Sequence, residues 1–76
     1  MRQSMSDFLE RCVDVKTALS VSNFNLYWFE DGSYADFRVA KIKNPREIDR
    51  LLEGLEYLIF AEDNYLILRV FENYQE

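Results

Sequence analysis

The pair Asp31-Gly32 stands between two runs rich in aromatic and β-branched residues, and it restricts the fold of this 76-residue chain more than any other feature. The run before it is Phe24-Asn25-Leu26-Tyr27-Trp28-Phe29-Glu30, and the run after it is Ser33-Tyr34-Ala35-Asp36-Phe37-Arg38-Val39. Such a pattern predicts a β-hairpin closed by a two-residue type I′ turn, because Asp and Gly tolerate the positive φ which that turn demands. A two-residue loop also fixes the register. It places Phe24 opposite Val39, Leu26 opposite Phe37 and Trp28 opposite Ala35, all apolar and all on one face. The other face then carries Asn25 with Arg38, Tyr27 with Asp36, and Phe29 with Tyr34. A slip of one residue would mix the two sets, so the face assignment is the firmest product of this pattern.

Helical periodicity flanks the hairpin. Phe8, Cys12, Val15 and Leu19 recur at helical spacing and predict a helix over about residues 6–19. Ser4 or Ser6 can cap it, and Asp7 and Glu10 lie where the positive end of the helix dipole favours acids. After the hairpin, Asn44-Pro45 with Glu47 reads as an N-cap, first helical residue and capping-box partner. The stripe Ile48, Leu51, Leu52, Leu55 and Ile59 extends this second helix to about residue 58, although Gly54 interrupts it. A variant reading ends the helix at Gly54 and makes residues 57–61 a strand that turns through Glu62-Asp63-Asn64 into the final run.

That final run, Tyr65-Leu66-Ile67-Leu68-Arg69-Val70-Phe71, has strand composition, with Leu66, Leu68 and Val70 facing the core and Arg69 outside. The expectation is a small single α+β domain over residues 1–76 in α-β-β-α-β order. Its three-stranded antiparallel sheet has spatial order 2-1-3, and both helices pack on one face. Residues 1–5 and 73–76 are expected to be flexible.

The inventory of side chains narrows the chemistry. With no histidine and one cysteine, histidine-dependent triads, a structural zinc site and an intrachain disulfide are all excluded. The two glycines, Gly32 and Gly54, do not form a phosphate-cradling loop. Cys12 lies on the apolar stripe of the first helix and reads as a small buried hydrophobe rather than a reactive thiol. The expectation is therefore a protein that is not an enzyme and has neither cofactor nor metal. The longest apolar run, Leu58-Ile59-Phe60-Ala61, is too short to span a bilayer, and the start of the chain lacks a signal-peptide pattern. The expected location is the cytoplasm, without membrane association.

Recognition is left as the work of this chain. Tyr27, Phe29 and Tyr34 share the outer face with Asp36 and Arg38, and Ile67 and Phe71 are candidates to enlarge that patch. The net charge of −5 lies wholly in residues 51–76, where Glu53, Glu56, Glu62, Asp63, Glu72 and Glu76 face Arg69 alone. Tyr27, Phe29, Tyr34, Asp36, Glu53, Glu56, Glu62, Asp63 and Glu72 are thus the expected partner-binding residues. The partner is expected to be a protein, with a nucleic-acid-binding surface as a natural target for an acidic inhibitor or modulator. This profile resembles, as a class, that of small phage-encoded inhibitors of host nucleases such as anti-CRISPR proteins. One alternative is a homodimeric structural or regulatory module that pairs through the outer sheet face. A second is a small RNA-binding sheet that stacks bases on Tyr27, Phe29 and Tyr34, with Lys41, Lys43, Arg46 and Arg50 as a phosphate-contacting edge. The negative net charge opposes direct nucleic-acid binding.

Overall fold

The computed structural model describes residues 5–72. The flexibility expected for residues 1–4 and 73–76, the Ser4 cap and the tail acid Glu76 lie outside the described residues. Six elements follow one another: α1 (Met5–Leu19), β1 (Asn25–Tyr27), β2 (Tyr34–Val39), α2 (Pro45–Leu51), β3 (Tyr57–Glu62) and β4 (Tyr65–Phe71). The domain is α+β, with two helices and one four-stranded antiparallel sheet in the order β1-β2-β4-β3.

The helix α1 forms over nearly the predicted span, and Met5 rather than a flexible tail begins it. Ser20 stops it by taking φ of 58°, in the left-handed region. Ser20 N–H donates to the Thr17 carbonyl at 3.2 Å and Val21 N–H to the Lys16 carbonyl at 3.1 Å, the paired bonds of a Schellman motif. Phe8, Cys12 and Val15 are buried on its inner face, as the spacing requires.

The hairpin keeps its faces and changes its register. Leu26 pairs with Ala35, and Tyr27 with Tyr34, so each residue of β1 meets a partner two positions from the one predicted. An even shift preserves the face of every side chain. The cause lies in residues 28–33, which form a longer loop instead of a two-residue turn. Gly32 N–H donates to the Phe29 carbonyl at 3.4 Å, and Gly32 alone carries positive φ there, at 142°. Ser33 locks this arrangement. Its buried hydroxyl accepts from Phe29 N–H at 3.2 Å, and its carbonyl accepts from Glu72 N–H at 2.8 Å. Trp28, expected opposite Ala35 in the core, is lifted out by the loop and is 56% exposed.

The second helix is shorter than predicted. α2 ends at Leu51, and Gly54 takes φ of 87° and turns the chain away. Asn44 occupies the cap in an extended conformation, but its side chain makes no cap hydrogen bond; the first turn closes by Glu47 N–H to the Asn44 carbonyl at 3.1 Å. Residues 57–62 are therefore a strand, as in the variant reading. Their aromatic and branched side chains suit a pleated edge, and β4 supplies an unbroken partner from Tyr57↔Val70 to Glu62↔Tyr65. This corrects the three-stranded expectation to four strands. It also corrects the order: β4 pairs along six residues of β2, from Tyr34↔Phe71 to Val39↔Leu66, and not with β1. β1 has only three paired residues and offers the shorter edge.

The core sits on one side of the sheet. Phe8, Cys12 and Val15 from α1, with Ile48 and Leu52 from α2 and its exit, close over Ala35 and Phe37 of β2 and Leu68 and Val70 of β4. Phe24 adds its ring to Phe37, with centroids 5.0 Å apart. Arg11 ties the helical layer together by donating from Nη1 to the Glu53 carbonyl at 2.6 Å.

Candidate functional site

The alternation that points Ala35, Phe37 and Val39 into the core sends Tyr34, Asp36 and Arg38 the other way. The pairings bring Tyr27 beside Tyr34, Arg69 and Phe71 beside Asp36 and Tyr34, and Leu58 and Phe60 beside Arg69 and Ile67. One continuous outer face thus crosses all four strands.

Rings and arginines organise this face. Tyr34 lies at the centre of the ring cluster. Tyr27 stacks on it at 4.9 Å, Phe29 stacks on it at 5.7 Å, and Phe71 meets it tilted at 5.9 Å. Arg69 crosses the middle of the face. Its Nε and Nη2 donate to the two carboxylate oxygens of Asp36 at 2.8 and 2.9 Å, a bidentate pair. Its guanidinium also lies 4.4 Å from the Tyr34 ring centre and 5.1 Å from that of Phe60. The hydrogen bonds to Asp36 raise the Arg69 pKa above its ordinary value. Arg38 lies 4.5 Å over the Tyr65 ring. These contacts hold flat side chains in place across the face.

The predicted residues divide into groups. Tyr27, Phe29, Tyr34 and Asp36 come together on the outer face as expected, and Tyr27 and Phe29 are exposed. Ile67 also lies on that side, but it is 5% exposed beneath Arg38 and Phe60 and contributes no free surface. The acids do not form one row. Glu62 and Asp63 sit at the β3–β4 turn, whereas Glu56 lies at the far end of β3, about 20 Å of strand away. Glu53 is exposed just after α2. Glu72 is buried, and its Oε1 meets no hydrogen-bond donor among the described residues. It shares a cleft of about 350 Å³ with Asp31 and Glu56. Among the basic residues, Arg38, Lys41 and Lys43 line an open groove of about 730 Å³ beside β1, together with Asp36. Arg46 and Arg50 are not part of it.

Besides Trp28, three apolar residues of β3 were not foreseen as surface. Leu58 and Phe60 extend the outer face, and Ile59 points to the helical side beyond the reach of either helix; they are 54%, 36% and 42% exposed. The signal was present in Tyr57-Leu58-Ile59-Phe60, whose composition favours a strand, but the helical spacing of Ile59 with Leu55 and Leu52 competed with it. Cys12 is buried, and burial pushes its thiol up to about 12, which leaves it un-ionised and unreactive at neutral pH. Among the described residues no cluster of acids or cysteine has the arrangement of a metal site, and no helix is long and apolar enough to cross a membrane.

No protein-family model matches the chain, and comparison with curated proteins and with solved structures gives no match.

Proposed function

We propose that this protein is a non-enzymatic binding module that captures a partner protein on the ring-bearing face of its sheet and thereby inhibits or modulates that partner. The observation that carries this reading is the position of both helices on one side of the sheet. Tyr27, Phe29, Leu58 and Phe60 remain uncovered on the other side around the fixed Tyr34–Arg69–Asp36 centre. Exposed aromatics held by neighbours bind with little loss of rotamer freedom, and such residues form the energetic centres of protein interfaces. The net charge of −5 favours a partner with a basic surface, which includes proteins that bind nucleic acids. Arg69 is already neutralised by Asp36, so the centre of the face offers little net charge to phosphates.

The test is site-directed photo-crosslinking in cells that naturally produce the protein. A photoreactive phenylalanine at position 27 or 29 is expected to give one discrete protein adduct. The same group at Val13, exposed on α1, is expected to give none. Equal labelling from all three positions would refute the reading. Saturable binding of a single-stranded oligonucleotide at low salt, lost on Tyr27→Ala, would replace it with the RNA-binding alternative.

A further inference from the structure

The edge strand β3 is built to be extended. Its outer edge pairs with nothing among the described residues, since β3 ends the sheet order and β4 occupies its other side. The Glu56 carbonyl accepts from Phe71 N–H at 2.9 Å, so the backbone groups of Glu56 point toward β4. Ladder groups alternate in an antiparallel pair. Leu58, Phe60 and Glu62 therefore also bond to β4, and the N–H and C=O groups of Tyr57, Ile59 and Ala61 point outward. Natural edge strands are usually protected by lysine, proline, a bulge or short length. β3 is Tyr-Leu-Ile-Phe-Ala-Glu, six residues in unbroken register, with none of these devices and a single charge, Glu62, at its last position. The opposite edge of the sheet, β1, has three residues.

We infer that β3 pairs antiparallel with β3 of a second copy of this chain, with Ile59 opposite Ile59, to make one continuous eight-stranded sheet. A two-fold axis normal to the sheet keeps outer face with outer face, so facing residues must have the same parity. Among such registers, the Ile59-centred one uses all the outward groups. Ile59 exchanges a pair of bonds with its counterpart and each Tyr57 with Ala61 of the other copy, about six bonds in all. Registers centred on Leu58 or Phe60 leave part of this set unmade. The side chains agree: Leu58 meets Phe60 of the second copy on the outer face, and Ile59 meets Ile59 on the inner, so the three exposed apolar residues of β3 are all covered. Six paired residues a side bury on the order of 1,000 Å² in total, the lower bound of a specific interface and the size class of weak, concentration-dependent association. One feature opposes the pairing. The same register brings Glu62 near Glu56 of the second copy at both ends of the ladder, and like charges across a pair are unfavourable. The inference does not depend on the proposed function: the two surfaces share Leu58 and Phe60, whereas Tyr27 and Phe29 belong to the face alone and the outward backbone groups of β3 to the edge alone.

Sedimentation velocity of the full chain across about 1 to 500 μM, a range suited to weak association, tests it. The expected result is concentration-dependent doubling of the 9.1 kDa mass, favoured by added salt. Ile59→Pro is expected to be monomeric yet folded, because the lost N–H points away from β4. Ile59→Lys, at a side chain already half in solvent, gives the same answer should the proline disturb the strand. Glu62→Lys is expected to tighten the dimer about five- to tenfold by turning two repulsive contacts into attractive ones. Tyr27→Ser/Phe29→Ser is expected to leave the dimer unchanged, which separates the edge from the outer face. A wild type that stays monomeric throughout, or a dimer indifferent to both Ile59 variants, overturns the inference. A dimer abolished at Ile59 but indifferent to Glu62→Lys overturns the register.

Discussion

Removing Asp36 probes how the outer face is held. Asp36→Ala deletes two charge-assisted hydrogen bonds to Arg69 and leaves the guanidinium over the rings of Tyr34 and Phe60. The Arg69 side chain is 30% exposed, so water recovers part of its solvation, and the loss falls near the low end for charged hydrogen bonds, about 2 kcal/mol. In a domain of this size that corresponds to a fall in Tm of about 8–16 °C. Arg69→Met should cost about 2–3 kcal/mol, because the Asp36 side chain left behind is only 12% exposed. The double variant leaves no unpaired charge and should cost no more than Arg69→Met alone. Urea denaturation of the four proteins closes a double-mutant cycle, with an expected coupling of at least about 2 kcal/mol. Additivity of the two single changes to within about 0.3 kcal/mol would show that the pair does not organise the face.

Other consequences are simpler to measure. Burial raises the Cys12 pKa from 9.0 to about 12, so the thiol contribution is fully present below about pH 9 and is lost as pH rises toward 12. The wild-type unfolding free energy from urea denaturation should fall more steeply than that of Cys12→Ala over this window, by up to about 1.4 kcal/mol per pH unit, and parallel curves would contradict the burial. Trp28→Ala should change stability by less than about 0.5 kcal/mol, whereas a Trp28 packed against Ala35 would cost about 3–5 kcal/mol. Gly54→Ala should destabilise by about 1–2 kcal/mol in thermal melts, although no atom obstructs the new methyl, because φ of 87° is strained for alanine.

The sequence made the two faces of the hairpin legible and left its register hidden, for one physical reason. Period-two alternation assigns faces and is blind to a shift of two, while the register depends on the turn. The Asp31-Gly32 signal is local, but the turn is decided by Ser33, whose carbonyl bonds to Glu72 at the other end of the chain. The extent of α2 failed similarly. Leu55 and Ile59 satisfy helical spacing with Leu52, and only pairing with β4 across the tertiary fold decides for a strand. The outer-face residues Tyr27, Phe29, Tyr34 and Asp36 were recoverable because they follow from face alone. Leu58 and Phe60 were not, because they follow from the strand that the helical pattern concealed. The acidic residues of the last third are contiguous in charge but not in space, since β3 separates Glu56 from Glu62.

Comparison of two urea denaturation midpoints tests most directly whether the rings of the hairpin lie outside the folded core. Tyr27→Ser/Phe29→Ser removes two stacking contacts on Tyr34, about 0.5–1.5 kcal/mol each. Phe37→Ala opens a cavity in the buried cluster and should cost about 3–5 kcal/mol. The double surface variant should therefore remain the more stable of the two. A loss equal to or greater than that of Phe37→Ala would place Tyr27 and Phe29 inside, and no free face would be left for a partner.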